Sequence, residues 1–169
     1  MKKISMAVAT CFLIFTAFPF VWAQDFDVST VQELQDALDK ASCNGEDDKI
    51  FIAPGTYLVN ETLYYGADDC DGKLVLNAED SKDPPILDGQ RQFQIMFLDN
   101  DADDDNDSSG DCGFELAHLV FKNGYSTNNK GGGLRINDGE VWIEQCSFYG
   151  NVSDTDGGGL FVSNPAGSI

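Results

Sequence analysis

Two stretches of the chain, LVFKNGYSTNNKGGGLRI (Leu119 to Ile136) and CSFYGNVSDTDGGGLFV (Cys146 to Val162), carry an aromatic, an asparagine and a glycine triplet in one order. Phe121 recurs as Phe148 and Gly131 as Gly157, at nearly the same interval along the chain. A hairpin sandwich has no reason to repeat residue types at that spacing. A right-handed parallel β-helix does, because each coil presents the same residue to its neighbours across the ~4.8 Å strand separation. Within a coil, Leu134 and Ile136 alternate with Arg135, and Val141 and Ile143 with Trp142, so one set is expected to fill the interior and the other to face outward. Gly131 to Gly133 and Gly157 to Gly159 are expected at corners that need positive φ or close stacking. Asn123 and Asn151 are expected in left-handed bends, hydrogen-bonded to one another between coils. No GKS/T follows either triplet and no helix begins after it, which argues against a phosphate cradle.

Other segments fit the same plan. The runs KIFIAPGTYLV, TLYY, KLVLNA, PILDG, QIMFL, FELAHLVF, GLRI, EVWIEQCSF and GLFV are short and strand-like, each bounded by Gly, Asp, Asn or Pro. Only VSTVQELQDALDKA, from Val28 to Ala41, has helical spacing, with Val31, Leu34, Leu38 and Ala41 on one face and a Thr30/Glu33 capping box. The expected fold is all-β: a right-handed parallel β-helix solenoid of roughly five coils, from a ~25-residue repeat, with an N-terminal amphipathic capping helix. Its expected divisions are a signal peptide over 1–23, a cap with its helix over 24–45, and coils over 46–169 that include an acidic loop over 99–111. The C-terminal end is expected to be uncapped or truncated, and so open to further coils or self-association.

An amphipathic helix followed by DKIFIAPGTYLV, PPILDGQ and LVFKNG resembles the cap and opening coils of the pectin lyase-like superfamily of right-handed parallel β-helix proteins. GGGL and FYGN are similar to the repeats of polymorphic outer membrane proteins, with glycine here where those repeats carry alanine. The resemblance spans roughly Phe26 to Val162 and implies a fold more than an activity, since that superfamily holds lyases, hydrolases and adhesins.

MKK, an apolar run from Ile4 and the small residues before Gln24 read as a secretory signal, so no membrane span is expected in the mature chain. An exported location, extracellular or at a bacterial outer membrane, follows. With 29 acidic residues against ten basic ones, two of which lie in the leader, nucleic acid is excluded as a partner. Cations or basic partners are attracted. Cys43, Cys70, Cys112 and Cys146 survive processing, and Cys43 with Cys70 is the preferred disulfide among three possible pairings. Cys146 reads equally well as a small core residue.

The acidic loop places seven aspartates in thirteen residues, and alternate-residue Asp is how a loop wraps oxygen ligands around Ca²⁺. The candidate metal ligands are Asp101, Asp103, Asp105, Asp107 and Asp111. Asp105, Asp107, Ser109 and Gly110 match the opening of an EF-hand loop, but its twelfth position is Leu116, so a weak or shared site is expected. A lyase of the resembled kind needs a Lys or Arg base, for which Lys122, Lys130 and Arg135 are candidates, and carboxylates such as Glu115, Asp138, Glu140 or Glu144. His118, the one histidine, reads as an outward strand residue, and no galacturonase-like signature accompanies it. Sequons stand at Asn60, Asn106 and Asn151.

The expected function is a non-catalytic secreted or surface module for adhesion or for contact with a polysaccharide or cell-surface glycan. The alternatives are a Ca²⁺-dependent polysaccharide lyase and a fragment of a longer surface protein.

Overall fold

The computed structural model describes residues 23–42, 46–66, 72–100, 113–127 and 130–165. Strand β1 (Asp25–Val28) leads into helix α1 (Val31–Ala41). Thr30 caps the helix with extended backbone, its hydroxyl accepts from the Glu33 amide, and the Glu33 carboxylate accepts from the Thr30 amide, so the expected capping box forms. The helix begins at Val31, where its cap and apolar spacing put it, and not at Val28, where the expected helical segment opens. Val28 is taken by a strand that pairs with Ile52 of β2 (Asp48–Ile52). Leu34, Ala37, Leu38 and Ala41 make the buried face, with Val31 at its margin.

Three parallel sheets carry the rest. The chain runs through β3 (Thr56–Leu58), β4 (Leu63–Gly66), β5 (Lys73–Ala78), β6 (Ile86–Asp88), β7 (Met96–Asp99), β8 (Gly113–Ala117) and β9 (Val120–Lys122). It continues through β10 (Tyr125–Ser126), β11 (Leu134–Glu144), β12 (Ser147–Tyr149), β13 (Val152–Ser153) and β14 (Leu160–Pro165). Sheet A holds β1, β2, β5, β8 and the second half of β11; sheet B holds β3, β6, β9 and β12; sheet C holds β4, β7, the first half of β11 and β14. Short β10 and β13 pair between sheets B and C. From β2 onward the chain therefore visits A, B and C in that order four times, and every pairing is parallel.

The repeat is regular only where the sequence displays it. Phe121 pairs with Phe148 and Leu134 with Leu160, at almost equal sequence intervals. Earlier register partners, such as Lys73 with Gly113, Met96 with Leu134 and Thr56 with Ile86, are further apart along the chain and unequally so. Inward rows stay in register while the connections absorb the difference. Leu63, Met96 and Leu134 form one such row and Leu76 and Leu116 part of another, all buried. Phe121 and Phe148 stack with ring centroids 4.9 Å apart and planes 7° apart, as their spacing predicts.

The corners explain why three long apolar runs are each two strands. His118 (φ 58°) bends the chain between β8 and β9, and Gln145 (φ 51°) does so at the equivalent place between β11 and β12. His118 is thus a corner residue and not a strand residue. Pro54 and Gly55 (φ 149°) separate β2 from β3. In the glycine triplets, Gly131 (φ 73°) and Gly157 (φ 63°) supply the left-handed turn. Gly132 supplies closeness instead, since a Cβ there would lie 2.2 Å from the Val152 carbonyl oxygen.

The expected asparagine ladder does not form, because the step from Asn123 to Asn151 is one position longer than the circuit set by Phe121 and Phe148. Asn123 (φ 54°) shares its place with Gly150 (φ 66°), and its amide donates to Asp88 at 3.1 Å. Asn151 falls opposite Gly124, accepts from that amide at 2.7 Å and donates to the Phe121 carbonyl at 2.9 Å.

Helix α1 packs on β4, β1 and β2. The Gln35 side-chain amide donates to the Tyr64 carbonyl at 2.8 Å and accepts from the Tyr64 amide at 2.9 Å, completing the backbone pairing of β4 on its open side. At the opposite end Leu160 and Val162 are half-buried, whereas Leu134 and Ile136 beside them are fully buried. No helix among the described residues is long and apolar enough to cross a membrane.

Candidate functional site

The parallel register of sheet C determines what its outer face displays. Tyr64 pairs with Phe97, Phe97 with Arg135, and Arg135 with Phe161. Each alternates with inward residues, so the four side chains form one outward row across four strands. The Tyr64 and Phe97 rings lie 5.5 Å apart at 52°. The Arg135 guanidinium lies 4.2 Å from the centre of the Phe97 ring, and the Lys130 ammonium lies 4.4 Å from that of Phe161. Arg135 Nε is buried against its neighbours with no hydrogen-bond partner. The row is therefore aromatic, with a guanidinium and an ammonium set over two of its rings.

A polar row runs beside it. Gly66, Asp99, Asn137 and Ser163 share register further along the same strands. Asn137 Nδ2 donates to Asp99 at 2.8 Å, and the Ser163 hydroxyl donates to Asn137 Oδ1 at 2.6 Å. Aromatic surface next to ordered amide, hydroxyl and carboxylate groups is suited to a ring that has one apolar face and a hydroxyl-bearing edge.

The lyase candidates are not gathered into one constellation. Arg135 and Lys130 belong to the sheet C side, whereas Lys122 is on sheet B, held 3.9 Å from Asp88 with the Tyr149 ring nearby. Lys130 lies 3.6 Å from Asp156. Glu115, Glu140 and Glu144 are on sheet A, and Glu115 is ion-paired with Lys73. Asp138 (φ 59°) forms the bend inside β11, where its carboxylate accepts from the Gly139 amide at 2.7 Å.

Asp101, Asp103, Asp105, Asp107 and Asp111 lie outside the described residues, as do positions 1–22 of the expected signal peptide, Cys43, Cys70, Cys112 and Asn106. Leu116, the twelfth position of the EF-hand-like pattern, is fully buried in the inner face of β8. That position therefore belongs to the core. Among the described residues no three His, Cys, Asp or Glu side chains are grouped to hold a metal ion. Cys146 is a free thiol at the corner before β12, half-buried against the core and donating weakly to the Leu116 carbonyl at 3.6 Å. Burial pushes its pKa up, which keeps it protonated and unreactive.

A groove of about 420 Å³ is lined by Arg91, Gly124, Tyr125, Gly150 and Val152. It lies where β10 and β13 pair, on the passage from sheet B to sheet C.

Sequence reasoning reaches Arg135 only as a candidate base and passes over Tyr64, Phe97 and Phe161. One part of the row is accessible to it, because aligning GLRI with GLFV puts Arg135 over Phe161. Tyr64 and Phe97 are not, since the longer steps from Tyr64 to Phe97 and from Phe97 to Arg135 carry no repeated motif. Comparison with known proteins gives no match to a protein-family model, a curated protein or a solved structure.

Proposed function

We propose that the chain is a right-handed parallel β-helix of the pectin lyase-like kind, exported from the cell, and that it holds a polysaccharide or surface glycan without turning it over. Four passages through three parallel sheets, with stacked inner rows and a helix over the first strands, support the solenoid reading. The observation that carries the binding reading is the row Tyr64, Phe97, Arg135 and Phe161, flanked by Asp99, Asn137 and Ser163. Rows about 4.8 Å apart make a platform on which a sugar chain lies along the stack, its rings on the aromatics and its hydroxyls on the polar row. The non-catalytic reading rests on what the candidate groups do instead: Lys122 and Glu115 are spent in ion pairs, Glu140 and Glu144 stand on a different sheet from Arg135, and Asp138 accepts from the Gly139 amide at the bend of β11.

Retention on immobilised polysaccharides tests this. Phe97→Ala is expected to weaken the retained glycan about tenfold, the loss of one stacking contact. Trp142→Ala, which removes the most exposed aromatic of sheet A (64% exposed), is expected to leave retention unchanged. Retention that depends on Trp142 and not on Phe97 overturns the site. Release of sugars with an unsaturated, ultraviolet-absorbing end overturns the non-catalytic reading in favour of the lyase.

A further inference from the structure

The chain has two arginines, Arg91 and Arg135, and among the described residues neither has a carboxylate partner, although acids outnumber bases nearly three to one. Three lysines do have one: Lys73 with Glu115, Lys122 with Asp88, and Lys130 with Asp156. Arg135 belongs to the sheet C row. Arg91 lies elsewhere, at the groove between sheets B and C.

The backbone that delivers Arg91 is unusual and firmly held. Gln90 (φ 55°) and Arg91 (φ 60°) are consecutive non-glycine residues in the left-handed region, a conformation that costs energy and persists only where the surroundings impose it. The Gln90 amide donates to Asp88 at 2.8 Å, its side chain donates to the Val59 carbonyl at 2.8 Å, and the Arg91 amide donates to the Asn123 carbonyl at 2.7 Å. The base of Arg91 is thus tied at several points while its side chain is exposed. Opposite are the half-buried Tyr125 ring, Val152 (50% exposed) and two residues without side chains, Gly124 and Gly150. The Tyr125 hydroxyl reaches Asp154 at 3.4 Å, so the polar end of the ring is occupied.

We propose that this groove binds one anionic sugar unit, with its carboxylate or sulfate on the Arg91 guanidinium and its ring against Tyr125 and Val152. A planar guanidinium grips either oxyanion through paired N–H donors, which an ammonium cannot do. A volume of about 420 Å³ takes a monosaccharide. The proposal deepens the glycan-binding reading and rests on it for the sugar. It adds a charge preference that the aromatic row is not placed to supply, since the Arg135 guanidinium lies on the Phe97 ring and the Lys130 ammonium is paired with Asp156, and it does so on a protein whose net charge of −19 repels polyanions in general.

Three polymers of one backbone separate the possibilities: unmodified dextran, carboxymethyl-dextran and dextran sulfate, titrated by calorimetry at about 0.15 M salt to screen long-range charge. The wild type is expected to bind at least one charged polymer about tenfold more tightly than unmodified dextran, and the one preferred identifies the anion. Arg91→Asn, which tolerates a left-handed backbone, is expected to abolish that advantage at an unchanged melting temperature. Arg91→Lys is expected to restore it in part. Phe97→Ala is expected to weaken binding of all three polymers while keeping the ratio between them. Equal binding of charged and uncharged polymers, or an advantage that survives in Arg91→Asn, overturns the groove. Binding that is lost in Arg91→Asn but indifferent to Phe97→Ala supports the groove and overturns the aromatic platform.

Discussion

Asn151 illustrates how a single polar side chain holds two successive circuits together. Its carboxamide accepts from the Gly124 amide and donates to the Phe121 carbonyl, so it satisfies one donor and one acceptor left between β9 and β10. Asn151→Ala leaves both groups without a partner at a half-buried position. Each such orphan costs about 1–3 kcal/mol, and chemical denaturation is expected to register a loss of about 2 kcal/mol or more, against well under about 1 kcal/mol for Asn60→Ala, which is exposed in a bend. At this scale the sequence is informative about residue type and misleading about partner. An asparagine after each aromatic suggests a ladder. The register of the aromatics puts Asn123 beside Gly150 and Asn151 beside Gly124, so an offset of a single position turns a like-with-like pair into two different bonds.

Among the elements, the helix is the easiest to read, because its cap, its apolar stripe and its length agree. Its start is misread only where β1 claims Val28. The same cap carries a pH dependence. Two hydrogen bonds from Ser29, its backbone amide before its hydroxyl, and others from Thr30 hold the Glu33 carboxyl below its ordinary pKa. Folding thus favours the ionised form, and the stability it confers is present above the unfolded value and lost as pH falls through the folded one. Glu33→Gln keeps an acceptor and cannot titrate, so the wild type is expected to lose melting temperature faster than this variant as pH is lowered through the glutamate range. Parallel melting curves down a pH series check this, and coincident slopes refute it. The strands are legible as apolar runs but their ends are not, since His118 and Gln145 are not residues that announce a left-handed corner.

For the whole molecule, the last two circuits reveal the architecture because only there do the connections keep one length. The earlier circuits obey the same inward register with unequal steps, short from Asp48 to Leu74 and longest from Lys73 to Gly113, and no motif repeats across them. The outward row on sheet C shares that invisibility. Tyr64, Phe97 and Arg135 are neighbours only because three strands of different sequence spacing come into register. Each passage from sheet C back to sheet A is bridged differently: residues 67–72 follow β4, residues 100–112 follow β7, and β11 makes the passage without leaving the strand, bending at Asp138 and Gly139 (φ 59° and 91°). The molecule therefore has a seam that one continuous strand sews shut at its last level. A foreign segment of about ten glycine and serine residues spliced after Lys82 lengthens an exposed turn between β5 and β6, whereas the same splice between Asp138 and Gly139 cuts a strand shared by both sheets. The first is expected to leave the melting temperature within a few degrees and the second to abolish cooperative unfolding, which makes the β5 to β6 turn the natural place to graft a peptide for display.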